Sequence, residues 1–120
     1  MALKNAISLH KIKGQMLHPF LQEKLPEITK MFRQYHVKSA YAFGSVVTDK
    51  FNDKSDVDLL VDFDQDMELL ERGEAWWSLY YGLKDFLNRQ VDLVTVTSLT
   101  NPYFIEELNE TKQFIYGERS

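Results

Sequence analysis

Between residues 18 and 35, Leu21, Leu25, Ile28, Phe32 and Tyr35 recur at mixed three- and four-residue spacing, the period of a helix with one buried face. Pro19 suits a first helical turn, where its missing N–H costs little. Pro26 either kinks this segment or divides it into two helices. Residues 38–43 are short, apolar and aromatic, which reads as a strand, and Gly44-Ser45 stops it. The polar stretch that follows contains Asn52-Asp53-Lys54-Ser55, a cluster of turn formers. From 56 to 64 the alternation is the clearest in the chain. Val57, Leu59, Val61 and Phe63 share one face, and Asp56, Asp58, Leu60 and Asp62 share the other. The first face belongs to a core; the second carries carboxylates and is not fully buried.

Residues 67–87 read as the longest helix, 90–96 as a further strand, and 102 to about 116 as a last helix with Asn101 as N-cap and Pro102 at its first position. A long helix between the strands at 56 and 90 permits a crossover connection. The element order predicts an α+β domain, a small mixed β-sheet flanked by helices. Residues 1–17 read as a loosely ordered N-terminal extension to a domain over 18–120.

At ~100° per residue, the apolar residues of the 67–87 helix spread over roughly 220° of its circumference, where a one-sided surface helix needs little more than ~100°. Trp76, Tyr80, Leu83 and Leu87 are read as its packed side. Trp77 and Tyr81 fall where a small sheet cannot cover them, so they are expected to serve a partner or a homo-oligomer.

Composition narrows the chemistry. The 120 residues fit one domain, with an ordinary balance of 44% hydrophobic and 27% charged residues. There is no cysteine, which excludes disulfides, thiol catalysis and cysteine-bound zinc. No apolar run reaches membrane-spanning length and the N-terminus lacks the core of a secretion signal, so no membrane and a cytoplasmic location are expected. A net charge of −4 argues against DNA or RNA binding along a basic groove. It does not argue against a triphosphate carried by metal ions. His10, His18 and His36 show no metal spacing, and no P-loop or dinucleotide fingerprint is present.

Three features stand together: Gly44-Ser45 closing a strand, Asp56-Val57-Asp58 ten residues later, and Asp92 inside the apolar run Val91-Asp92-Leu93-Val94. Alternation points Asp56 and Asp58 the same way, close enough to share a cation. Two ionised carboxylates repel, and a divalent metal relieves the repulsion. Hard oxygen ligands suit Mg²⁺, which also binds phosphate oxygens. Asp92 on a neighbouring strand would complete a three-carboxylate site for two metal ions. Glycine at the strand end allows close backbone approach to a ligand. Asp62, Asp64 and Asp66 extend the acidic run and read as solvated residues.

Phe43-Gly44-Ser45, ten residues, Ser55-Asp56-Val57-Asp58-Leu59-Leu60-Val61 and then Val91-Asp92-Leu93-Val94 resemble the nucleotidyltransferase superfamily that includes DNA polymerase beta. The likeness is to its short bacterial group, the minimal nucleotidyltransferases, and extends roughly over residues 37–116. It implies the nucleotidyltransferase (polymerase beta-like) fold, with Asp56, Asp58 and Asp92 as catalytic Mg²⁺ ligands and Gly44 and Ser45 on the triphosphate. It implies transfer of a nucleoside monophosphate, AMP from ATP or another from its triphosphate, to a hydroxyl of a partner protein. The implied partner is a helical HEPN-type toxin, with this chain as its antitoxin. Many relatives continue after Gly-Ser with Arg-Ala-Arg-Gly; here Val46-Val47-Thr48-Asp49 stand instead, and Lys50 and Lys54 are the nearest cations to take over phosphate binding. Two alternatives remain open: a catalytically weak antitoxin that neutralises its partner by binding, and a small-molecule, aminoglycoside-type nucleotidyltransferase.

Overall fold

A computed structural model describes residues 16–118. The proposed extension over 1–17 lies outside these residues except for Met16 and Leu17, and Leu17 packs against the core.

Pro26 belongs to a division of the first helical segment, with the break just ahead of it. Helix α1 (Pro19–Gln22) and helix α2 (Leu25–Gln34) are separate, and each carries its proline in the first turn. His18 is the N-cap of α1, its Nδ1 accepting from Phe20 N–H at 3.1 Å. Strand β1 (Val37–Phe43) leads into a 3-10 turn (Gly44–Val47), then strand β2 (Val57–Phe63), helix α3 (Leu69–Leu87) and strand β3 (Val91–Thr95). After a second 3-10 turn (Val96–Ser98) come helix α4 (Pro102–Thr111) and strand β4 (Gln113–Gly117). Asn101 caps α4, accepting from the N–H groups of Tyr103 and Phe104 at 2.9 and 3.3 Å.

The sheet is mixed, with order β3-β2-β1-β4. β1 pairs antiparallel with β2 and with β4, while β2 and β3 run parallel across the α3 crossover. One part of the expectation is corrected: the last helix does not reach residue 116. Lys112 leaves the helix in an extended conformation, and residues 113–117 pair with the free edge of β1. Phe104, Leu108 and Ile115 mimic helical spacing along the sequence. Phe114-Ile115-Tyr116 nevertheless suits a half-buried strand once an edge is available, and strand preference depends on such neighbours.

The two faces of β2 separate as the alternation indicates. Val57, Leu59, Val61 and Phe63 join Leu21, Ile28, Phe32, Leu79, Leu83 and Leu87 in the larger core beneath α2 and α3. On the opposite face Leu60 meets Tyr41, Phe43 and Leu108 of α4 in a smaller cluster. This second cluster covers only part of its face and leaves the start of β2 open. Along α3 the packed side is centred on Ala75, Leu79, Leu83 and Leu87, with Trp76 and Tyr80 only partly buried, a shift from the packed set read along the sequence. Trp77 and Tyr81 are exposed. No helix among the described residues is long and apolar enough to cross a membrane.

Candidate functional site

The open end of β2 is built by three elements that meet there. β2 places Asp58 on the α4 side of the sheet, and β3 places Asp92 directly opposite it, the two being Cα partners in the parallel pair. Equal register on parallel strands points both carboxylates to the same face. Asp56, exposed, stands one residue before β2, and β1 brings in the third element, since Phe43 is the Cα partner of Asp58.

Beyond Phe43 the chain turns sharply at Gly44, whose φ of +73° is left-handed. A Cβ at this position would run into the Asp58 carboxylate. Glycine is therefore required twice, once for the backbone angle and once for the space the carboxylate takes. The 3-10 turn that follows is pinned from within. Val46 and Val47 are buried in the main core, Val46 C=O accepts from His18 N–H at 2.8 Å, and Thr48 Oγ1 donates to Ser45 C=O at 2.8 Å. Val46, Val47 and Thr48 thus anchor the turn. Among the described residues the Ser45 hydroxyl makes no hydrogen bond.

Burial first, then the charges of Asp92 and Asp56, together raise the Asp58 carboxyl from its ordinary 3.8 to about 6. The three carboxylates thus act on one another across two strands. Among the described residues the one ion pair is Lys30–Glu27 on α2, and none involves the trio. No three acidic or histidine side chains among the described residues are drawn into a finished metal cage. The donor set is made of hard oxygens, partly desolvated and short of positive charge, and such a set fits Mg²⁺.

Two recesses flank the trio. One, of about 390 Å³, is lined by Phe43, Gly44, Ser45, Thr48, Lys50 and Phe104, among others. Lys50 is thus brought beside Gly44 and Ser45. Lys54 lies exposed in the 52–55 turn, its N–H donating to Asn52 Oδ1 at 2.8 Å, and lines neither recess. The other recess, of about 420 Å³, lies between α3 and β3, with Asp92 in its wall.

Arg89 was not legible as part of this site. Its guanidinium lies 4.4 and 4.6 Å from the ring centroids of Phe20 and Phe51, and Nη1 donates to the carbonyls of Asn52 and Ser55 at 2.9 and 2.8 Å. Arg89 therefore ties the loop ahead of Asp56 to the end of α3. No local signal marks it, because its partners stand more than thirty positions away in the chain. The His18 ring also packs on Phe51, tilted at 50° and 4.8 Å between centroids, which extends this clasp to the start of α1.

Residues 26–120 match the family model described as "Polymerase beta, Nucleotidyltransferase". A Methanocaldococcus jannaschii protein named as a protein adenylyltransferase, MJ1217, is 33% identical over 96 residues, 79% of this chain and 94% of that protein. Among solved structures, a toxin–antitoxin with AMP-PNP superposes with a TM-score of 0.63 at 23% identity, covering 79% of this chain and 74% of the other. A tri-AMPylated Shewanella oneidensis HEPN toxin in complex with MNT antitoxin gives a TM-score of 0.56 at 22% identity, covering 81% and 72%. At those identities the two structures speak to the fold.

Proposed function

Since the chain belongs to the polymerase beta nucleotidyltransferase family, we propose that it transfers AMP from Mg–ATP to a hydroxyl of a partner protein, a helical HEPN-type toxin for which it serves as antitoxin. The observation that carries this reading is the packing of the Asp58 carboxylate against Gly44, with Asp92 in register beside it. It puts the anionic cluster and the glycine turn within contact of each other, as a triphosphate bridged to metal requires. The relatives' names support the nucleotide and the class of acceptor: protein adenylyltransferase, AMP-PNP, and an AMPylated toxin bound to an MNT antitoxin.

In the reaction the acceptor oxygen forms a bond to the α-phosphorus while the bond from that phosphorus to the bridging oxygen breaks, releasing pyrophosphate. The hydroxyl proton passes to the Asp92 carboxylate and on to solvent. Asp56, Asp58 and Asp92 would hold Mg²⁺, which would neutralise phosphate charge and lower the pKa of the hydroxyl. Gly44 and Ser45 would hold the triphosphate through backbone N–H groups and the Ser45 hydroxyl, which makes no hydrogen bond among the described residues. Positioning and charge neutralisation are most of what the protein supplies.

Labelled ATP, Mg²⁺ and a purified HEPN-type protein test this directly. Label is expected on the partner, with loss of at least ~100-fold in rate on Asp56→Asn, the scale of one removed electrostatic contact to the reacting groups. Absence of adduct with wild type overturns the reading. The buried Val46 and the turn-bonding Thr48, which stand at the two arginines of the pattern that the resemblance implies, favour a second one: neutralisation by binding with little turnover. In that case the partner stays tightly bound to Asp56→Asn and no adduct forms with either protein.

Lys50, beside Gly44 and Ser45, is the cation placed to meet the phosphates. Lys50→Ala is expected to weaken AMP-PNP binding about tenfold, the loss of one charge-assisted contact of ~1.4 kcal/mol, and Lys54→Ala to leave it within twofold. Calorimetric titration separates them; equal affinity for the double variant and wild type removes lysine from the phosphate site.

A further inference from the structure

The recess on the Asp92 side is walled by rings. Trp76 and Tyr80 stack at 5.0 Å and 11°, and Trp77 and Tyr81 stack at 5.6 Å and 22°. The Trp76 indole N–H donates to the Leu93 carbonyl at 3.1 Å, which locks the inner pair to strand β3. Lys84 lies 5.2 Å from the Tyr80 ring centroid and adds a positive charge to the rim. Asp92 borders the same recess where it meets the outer edge of β3, and its carboxylate turns with Asp58 to the α4 face, so a segment lying in the recess reaches the trio around that edge.

The wall also continues outward. Trp77 and Tyr81 are 54% and 59% exposed, and Leu70, seven residues before Trp77 and so on the same helical face, is 77% exposed. Packing of α3 explains none of these three: its buried line is Ala75, Leu79, Leu83 and Leu87.

We infer that this ring-lined recess and the stripe leading to it are where the acceptor-bearing segment of the partner protein docks, apart from the nucleotide recess at Gly44. The inference rests on the reading of the chain as a protein-modifying nucleotidyltransferase. The occupant follows from geometry and size. Transfer requires the hydroxyl and the triphosphate to approach the carboxylates from different sides. Gly44, Ser45 and Lys50 line the recess on one side, which leaves the Asp92 side for the acceptor. A nucleoside base would fill the recess alone. It would leave Leu70, Trp77 and Tyr81 in water, whereas a polypeptide covers recess and stripe together. Trp and Tyr supply large contact area with few rotamers to freeze, which suits them to anchor a protein partner. Lys84 favours a segment with acidic side chains near the hydroxyl.

The test uses the full chain and a purified HEPN-type helical protein. Trp77→Ser and Tyr81→Ser replace exposed side chains, so the folded domain is expected to survive, checked by thermal melting. In the double variant the Kd for the partner and the KM for it in AMP transfer should both rise at least ~10-fold, the effect of losing one interface anchor. AMP-PNP affinity should stay within twofold. The chain's two tryptophans, Trp76 and Trp77, both line this recess. Their fluorescence should therefore change with the partner and not with Mg–AMP-PNP. Equal partner binding by variant and wild type, no partner binding by wild type, or a fluorescence change with nucleotide alone overturns the inference; the last would make the recess a base site. If the partner docks through this face and no AMP is transferred, the catalytic reading falls and the docking assignment stands.

Discussion

An Asp58→Asn protein is expected to melt at a higher temperature than wild type at pH 8 without metal, and to transfer AMP at least ~10³-fold more slowly. Both effects come from the same contacts. In the folded protein the carboxyl titrates near 6 instead of 3.8, because burial and the charges of Asp92 and Asp56 disfavour its ionised form. The folded state therefore holds this proton more tightly than the unfolded chain. The stability contributed by the group is complete below pH 3.8 and is lost as pH rises through about 6. Asparagine cannot ionise, so the loss is removed. Allowing for solvent screening of a half-exposed group, the gain at pH 8 is about 1 kcal/mol, or ~5 °C in a domain of this size. Wild type should accordingly gain stability between pH 7 and 4 relative to the variant. Saturating Mg²⁺ with AMP-PNP should raise the melting temperature of wild type and not of Asp58→Asn, since only a ligand that binds the folded state stabilises it. Melting curves across pH, with labelled-AMP transfer beside them, decide the matter. A variant less stable than wild type at pH 8, or one that transfers within tenfold of it, would remove Asp58 from the centre of the site.

Gly44→Ala should disrupt the site through a single added methyl. The residue sits at φ +73°, where an L side chain costs roughly 1–2 kcal/mol, and its Cβ would overlap the Asp58 carboxylate. Either the turn or the carboxylate must move. The expected loss is ~2–3 kcal/mol of stability, with transfer reduced at least ~100-fold, because a displacement of about 1 Å at the reacting groups has that effect. Ser45→Ala, which keeps the backbone, should cost no more than about tenfold. A double-mutant cycle gives the sharper readout. With Asp58→Ala already in place the collision partner is gone, so Gly44→Ala should cost at least ~1 kcal/mol less than in wild type. Simple additivity would mean that glycine and carboxylate are not in contact.

Much of the architecture could be read from local pattern. The alternation from 56 to 64 assigned Val57, Leu59, Val61 and Phe63 to the main core, where they lie, and Asp58 and Leu60 to the other face. Proline and asparagine marked helix starts at 19 and 102, because capping depends on the few residues of one turn, while Pro26 left a kink or a division open and the structure shows the division. The exposure of Trp77 and Tyr81 followed from an apolar arc too wide for one sheet to cover. The last strand was missed for the complementary reason. Residues 113–117 have no strong period of their own, and their conformation is decided by the β1 edge, which lies more than seventy positions earlier in the chain.

The sequence by itself determined which faces are apolar and where helices begin, and it singled out Gly44, Asp56, Asp58 and Asp92 as the residues of the proposed site, since period and residue type are local properties. Only the tertiary structure decided that Asp58 and Asp92 stand in register, that the carboxylate occupies the space a Cβ at Gly44 would need, and that Arg89 clasps the loop before Asp56. It also placed Lys50, and not Lys54, beside the glycine turn. Each of these depends on pairing between segments distant along the chain, and a one-residue slip in register would turn Asp92 to the opposite face.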